Sequence, residues 1–531
     1  VDAAVREHPI APLRRALQQR RAASELSLDP LPETAVGSYL CERFGWQEAP
    51  AGLACLIADQ VEGNPLFMVT LMDYLVSKQL LSCSEGAWSL AVPPESLVAA
   101  APESLRDIIE DQLGMLSARE RKVLEVASAI GVSFAVQALA AGVEADVEVL
   151  EETCGELAHR RLFIEERELE RWPDGTVCRR FGFQHSAFQR LLYARLSPSR
   201  RQRLHLRIGE RIEAGHGEDL DAQSATLAIH FEQGGDRPRA MGYLARAASV
   251  SQQRFAHREA AGYLRRALEL LEQTPESDAC SEQELELRLR LGRDLSFAAG
   301  FGAEDARENL GRCLELSRRL GDERSEGLVL DRIARQQLFR SEYASLRGTL
   351  EQLLPIARQV ESAALAADAS LLAAHADVLC GEFERADRGF AQVRSAEIDP
   401  SDAFDQIGHY SMILGFGLGA WCTAQRGRAE EAWCQSDAAC SALAVHHEPM
   451  TIAGVYLGRA ELGRLVGKLD LVREASEALR SELEPSGTHF PLPSLYAMEG
   501  WLLLESGEVA DAISLLGESL ERVRREGGTF W

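Results

Sequence analysis

With 531 residues the chain is too long for one hydrophobic core and accommodates three or four domains of ~100–200 residues, or a long repeat array. Its 82 acidic residues against 57 basic ones leave a net charge of −25, which repels nucleic-acid phosphate and anionic membrane over most of the surface. Eleven scattered cysteines without a Cys-x-x-Cys pair, no apolar run near the ~18 residues of a membrane span, and no signal-peptide order at the start argue against a disulfide framework, a zinc ribbon and a membrane role, and for a cytoplasmic protein.

The first 28 residues hold a short helix pattern (Leu13, Leu17) and a brief alternating stretch, Glu25-Leu26-Ser27-Leu28, which Asp29-Pro30-Leu31-Pro32 stops. Two short amphipathic helices are expected over 33–44 and 52–60. Gly63-Asn64-Pro65 then breaks the chain before an apolar helix expected over 66–81, because Asn before Pro is pushed out of the helical region while Pro fits a first helical turn. Residues 84–102 read as a linker with a weak hairpin through Ala87-Trp88-Ser89-Leu90.

A compact domain is expected next. Leu105, Ile108, Ile109, Leu113 and Leu116 form a helical stripe, and Ser117 with Glu120 makes a capping box that opens a second helix ended by Gly131. A third helix runs through Val147, Leu150, Cys154 and Leu157. Asp174-Gly175 signals a turn, and Val177, Phe181 and Phe183 read as one half-buried strand that runs into a helix, with His185 at the joint. Three helices followed by a hairpin is the order of a winged helix. Between Arg179 and Arg211 there are nine arginines and one carboxylate, Glu210, but Arg203, Arg207 and Arg211 fall on one face and Leu204, Ile208 and Ile212 on another, as on any solvated helix.

Beyond residue 220 the pattern is helical and repetitive. Residues 239–248 resemble 259–268, and Gly381, Gly427, Gly467 and Gly507 recur at intervals of 46, 40 and 40 residues, each followed five residues on by Ala386, Ala432, Val472 and Ala512. A turn glycine and a small side chain at that period fit helical hairpins stacked as an α-solenoid of tetratricopeptide (TPR) type. The fold class is therefore mostly α. No phosphate-binding Gly-x4-Gly-Lys-Ser/Thr is present, since the single Gly-Lys is Gly467-Lys468 before Leu469. Gly415-Phe-Gly417-Leu-Gly-Ala420 matches a dinucleotide fingerprint only formally, and His446-His447-Glu448 has no third ligand spaced to join it. There is no Ser/His/Asp arrangement, so no catalytic residue is assigned.

With those residues in place, the chain resembles the C-terminal two-thirds of a bacterial STAND ATPase, the signal-transduction class related to NLR receptors and MalT-like activators. The resemblance rests on residues 1–9, Gly63-Asn64-Pro65-Leu66-Phe67, Trp172-Pro-Asp-Gly-Thr176, Phe183-Gln-His185 and the repeats. It implies residues 1–28 as the end of the NTPase core, 29–100 as a helical lid and linker, 101–215 as a winged-helix domain and 216–531 as TPR-like repeats. It also implies that a Walker A/B core lies outside this chain. That core would bind ATP/ADP with Mg, and an adenylate/guanylate cyclase or a winged DNA-binding output domain would precede it. Gly63, Asn64 and Pro65 would belong to the nucleotide site, with Pro65 lining the adenine, and His185 would reach the β-phosphate of ADP, although Gln184-His185-Ser186 lacks the aspartate of the related Met-His-Asp motif. The parent would be an ATPase and this portion alone would not. The repeats would bind a protein or small-molecule signal, self-association is left open, and DNA would be met only through an output domain. Two other readings stand beside this one, a TPR interaction scaffold without nucleotide and a winged-helix transcriptional regulator.

Overall fold

The computed structural model describes residues 30–50, 52–61, 63–84, 87–93, 105–160, 162–254, 256–275, 277–396, 409–444, 449–486 and 491–525. The elements expected before residue 29, much of the linker before residue 105 and the His446-His447-Glu448 run lie outside them. The chain divides into two compact units. One holds the described residues up to Glu170 with Cys178–Leu196, and the other holds Arg171–Val177 with the residues from Ser197 onwards.

The first unit opens with helices α1 (Glu33–Phe44), α2 (Leu53–Val61) and α3 (Pro65–Ser77), followed by the antiparallel pair β1 (Leu81–Ser84) and β2 (Ala87–Leu90). The apolar helix ends at Ser77, before the expected residue 81, because Gln79 turns left-handed and Leu81 enters a strand. Val36, Leu40, Leu53, Ile57, Leu71 and Leu75 fill one core. Arg43 pairs with Asp73 across it.

Helices α4 (Leu105–Gly114) and α5 (Ala118–Ile130) follow, then β3 (Ser133–Ala135), α6 (Val136–Val143), α7 (Val147–His159) and β4 (Ile164–Glu166). The expected capping box opens α5: Glu120 N–H donates to Ser117 Oγ at 3.2 Å and Ser117 N–H to Glu120 Oε2 at 2.7 Å. The remaining strands are β5 (Glu170–Arg171), β6 (Val177–Cys178) and β7 (Arg180–Phe183), with α8 (Ser186–Arg195) closing the unit. The sheet order β3-β7-β4 gives helix–strand–helix–helix–hairpin with the first strand against the last. The single strand expected through Val177 is two short ones broken at Arg179. Val177 faces solvent, while Phe181 and Phe183 are buried in register with Phe134 and Ile164.

The second unit is helical: α9 (Pro198–His216), α10 (Ser224–Gly234), α11 (Arg237–Gln253), α12 (His257–Leu271), α13 (Asp278–Ala299), α14 (Glu304–Leu320), α15 (Glu323–Phe339) and α16 (Tyr343–Gln359). It continues with α17 (Ala363–Leu379), α18 (Phe383–Arg394), α19 (Ser411–Gln425), α20 (Ala429–Leu443), α21 (Pro449–Leu465), α22 (Leu469–Ser486), α23 (Leu492–Glu505) and α24 (Val509–Arg525). From α9 onwards each helix packs on the next, and α15, α17, α19, α21 and α23 also touch in succession, so they form one layer of stacked TPR-like hairpins. Gly381, Gly427, Gly467 and Gly507 all have φ between +69° and +85°, the left-handed turn that ends one helix. The side chains five residues on, Ala386, Ala432, Val472 and Ala512, are at most 2% exposed. The Gly415–Ala420 run lies inside α19. A Cβ on Gly458 would sit 2.3 Å from the Gly417 carbonyl oxygen, so the small residues serve close helix crossing.

Candidate functional site

Three residues of the predicted nucleotide site form one turn. Gly63 has φ +66°, and a Cβ there would meet Pro30 Cβ at 2.6 Å and Leu31 N and O at 2.8 and 2.9 Å, so no other residue fits. Leu31 N–H donates to Gly63 O at 2.9 Å and ties the turn to the chain entering α1. Asn64 caps α3: its side-chain oxygen accepts from Leu66 N–H at 3.0 Å and Phe67 N–H at 3.2 Å. Pro65 holds the first helical position with its ring exposed. The Asn64 carboxamide oxygen is thus engaged in shaping the turn, and the exposed Pro65 ring is the part open to a planar ligand.

His185 stands on a different element, at the N-cap of α8, with extended backbone (φ −145°, ψ 140°). Its carbonyl accepts from Phe188 N–H at 3.1 Å, but its side chain is exposed and makes no cap hydrogen bond. It is therefore not a core histidine, although Phe183 two positions earlier is buried. Among the described residues no hydrogen bond joins it to the Gly63–Pro65 turn. The basic stretch is partly neutralised: Arg179 pairs with Glu166 at 2.6 Å, Arg180 with Glu170 at 3.3 Å, and Arg211 with Asp174 at 3.4 Å while stacking 4.7 Å over Trp172.

A second site, not foreseen from the sequence, lies in the helical layer. Asp368 of α17 is fully buried. It binds Arg335 of α15, His409 Nε2 at 2.8 Å and Ser411 Oγ at 2.7 Å. Arg335 is 6% exposed and also contacts His409 Nε2 at 3.0 Å and Met450 Sδ at 3.7 Å. Three successive hairpins are thus joined by one carboxylate. Arg335, His409 and their hydrogen bonds hold the Asp368 carboxyl well below the usual carboxylate range despite its burial. Asp331, one turn before Arg335, behaves oppositely. Burial and the neighbouring Asp368 charge push its carboxyl well above that range.

Asp331 opens onto a cavity of about 40 Å³ that is also lined by Arg293, Phe297, Phe301, Arg332 and Arg335. A sequence signal for the cluster exists in hindsight. Between Ala363 and Leu379 the only carboxylates are Asp368 and, near the helix end, Asp377, and a carboxylate in the middle of an apolar helix needs a buried partner. Asp331 and Arg335, by contrast, look like an ordinary exposed i,i+4 pair. Among the described residues no cluster of His, Cys, Asp or Glu is arranged to hold a metal ion, and no helix is long and apolar enough to cross a membrane.

No family model matches the chain. A curated relative, the "Uncharacterized protein R02095" of Rhizobium meliloti (strain 1021), is 30% identical over 139 residues, which is 26% of this chain and 14% of that protein's length. Among solved structures, a Rap protein complexed with Competence and Sporulation Factor is 13% identical, with a TM-score of 0.42 over 62% of this chain and 94% of that one. A STAND protein with a tetratricopeptide repeat sensor, PH0952 from Pyrococcus horikoshii, is 11% identical, with a TM-score of 0.33 over 94% of this chain and 74% of that one. At these scores the fold rests on the helices themselves, which are TPR-like hairpins.

Proposed function

We propose that this chain is the regulatory and sensing portion of a nucleotide-switched STAND ATPase. Residues 29–100 act as the helical lid, 101–215 as the winged-helix domain, and 216–531 as repeats that bind a protein or small-molecule signal. ATP or ADP with Mg is held mainly by a core outside this sequence, whose last residues are 1–28. The observation that carries the reading is the Gly63–Pro65 turn. Its glycine is sterically obligatory, its asparagine is committed to the helix cap, and its proline ring is left exposed. An exposed ring on a fixed turn suits one face of an adenine. An exposed imidazole with no side-chain cap bond suits a phosphate oxygen, for which one charge-assisted hydrogen bond contributes about 1.5–3 kcal/mol.

Bound nucleotide would supply the switch, since its release frees the lid from the winged helix. The chain alone hydrolyses no ATP on this reading, because nothing in its sequence cradles a triphosphate. In the full-length parent, His185→Ala should lower the ADP that co-purifies by tenfold or more while the melting temperature stays unchanged. Wild-type ADP occupancy in that variant would remove the phosphate role.

A further inference from the structure

We infer that the cavity beside Asp331 and Arg293 binds the head of a small carboxylate that carries a hydrogen-bond donor on its α-carbon, the chemistry shared by 2-amino and 2-hydroxy acids. The inference rests on the repeats acting as a sensor and is independent of the nucleotide reading.

Asp331 is 3% exposed, yet among the described residues its Oδ1 makes no hydrogen bond, which is costly for a buried polar atom unless a partner arrives. Its Oδ2 faces Arg335, 3.8 Å away, and Asp368 lies close enough to share its proton. Asp331 lines the cavity, and its unpartnered Oδ1 is an acceptor that asks for an N–H or O–H. From the facing helix, Arg293 lines the same space, and among the described residues it has no hydrogen bond and no carboxylate partner. Arg332, half-buried, donates to the Leu289 carbonyl at 2.5 Å and adds a second positive charge.

The charges facing Asp331 can be set out by element. Helix α15 itself brings Arg332 and Arg335, α13 brings Arg293 and Asp294, α17 brings Asp368 and His375, and His409 precedes α19. Asp294 is already engaged by His257 at 2.9 Å and Gln252 at 2.6 Å, and Asp368 by Arg335 and His409. The balance inside the cavity is therefore positive. An anion is favoured, and Oδ1 adds the demand for a donor beside it. Size narrows the class further. About 40 Å³ takes roughly three waters, or a carboxylate with one attached donor, and excludes a nucleotide or a folded peptide. Phe297 and Phe301, whose ring centroids are 6.0 Å apart, give an apolar side chain a surface at the opening.

The test is titration calorimetry on the intact chain at pH 7 with L-alanine, L-leucine, L-phenylalanine, L-lactate and 2-hydroxyisocaproate. Propionate and isocaproate, which lack the α-donor, are the controls. At least one amino or hydroxy acid should bind tenfold or more tightly than its donor-free counterpart, and which series wins names the source. Arg293→Gln, at a half-exposed position, should weaken that ligand tenfold or more. Asp331→Asn keeps the acceptor oxygen and can donate to Asp368, so it should retain binding, whereas Asp331→Leu should abolish the preference over the donor-free acid. Equal binding of both kinds of acid, or unchanged affinity in Arg293→Gln, overturns the assignment. So does the absence of binding by every probe at 10 mM while the chain remains folded. That last result would leave the cavity to ordered water, and the nucleotide reading would still stand or fall on His185.

Discussion

Removing the Asp368 carboxylate should cost the helical unit more than any other single change in its layer. Asp368→Ala leaves the Arg335 guanidinium, 6% exposed, without its closest carboxylate, and it deprives His409 Nε2 and Ser411 Oγ of bonds of 2.8 and 2.7 Å. Breaking one side of a buried ion pair costs about 3–5 kcal/mol, mostly from the charge left behind. Asp331 tempers that figure. It sits 3.8 Å from Arg335, and loss of the Asp368 charge lets it ionise and take over the guanidinium. The single variant should therefore fall at the lower end, about 3 kcal/mol, and Asp368→Ala combined with Asp331→Asn should lose about 1–2 kcal/mol more than the separate effects add to. Repeat arrays need not unfold in one step, so the assay is urea unfolding followed by circular dichroism together with hydrogen exchange of α15, α17 and α19. A loss below about 1 kcal/mol, or strict additivity, would show that the pair is solvated and the cluster does not join the hairpins.

Other substitutions test separate parts of the account. Gly63→Ala should destabilise the first unit by about 2 kcal/mol or more, because left-handed backbone and contacts of 2.6–2.9 Å oppose the new Cβ; an unchanged melting curve would mean that the turn can relax. Ser341 and Glu361 occupy left-handed turns at φ +57° and +51°, so Ser341→Gly and Glu361→Gly should each stabilise the repeats by about 0.5–1 kcal/mol, and destabilisation in both would refute the strain argument. His205 and His230 face each other at 2.9 Å, with burial as the main cause holding them at about 4 and about 3. Because both values lie below the ordinary 6.5, stability is full above pH 6.5 and is lost as pH falls toward 4, on the order of 3 kcal/mol per histidine. A double His205→Gln, His230→Gln variant should flatten that acid limb in unfolding measured from pH 7 to pH 4, and an unchanged limb would place its cause elsewhere.

How far the sequence could be read depended on whether local chemistry and burial agreed. Gly381, Gly427, Gly467 and Gly507 announce their turns because glycine takes positive φ at little cost, and the small residues five positions on could be placed from them. The turns at Ser341 and Glu361 complete the same 20-residue spacing back from Gly381, but they carry side chains that give no turn signal, so the hairpins around α16 and α17 were not separately legible. Helix α6 escaped notice because Val136–Val143 is short and mostly buried, with no polar face to set a period. Val177 was misassigned because alternation alone does not show that Arg179 interrupts the strand. The Asp331 cavity was hidden for a tertiary reason. The Asp331–Arg335 pair, Asp368 and His409 are far apart in sequence, and only the stacking of the helices that carry them brings them together.

The most direct test of the regulatory reading is hydrogen exchange on the full-length parent, loaded with ADP and stripped of it. If the lid turn and the winged helix close on nucleotide, peptides covering residues 63–67 and 184–188 should both exchange at least tenfold more slowly with ADP bound, and His185→Ala should remove the second effect. Equal exchange at both segments in the two states would contradict the account and leave the repeats as an interaction array without a nucleotide switch.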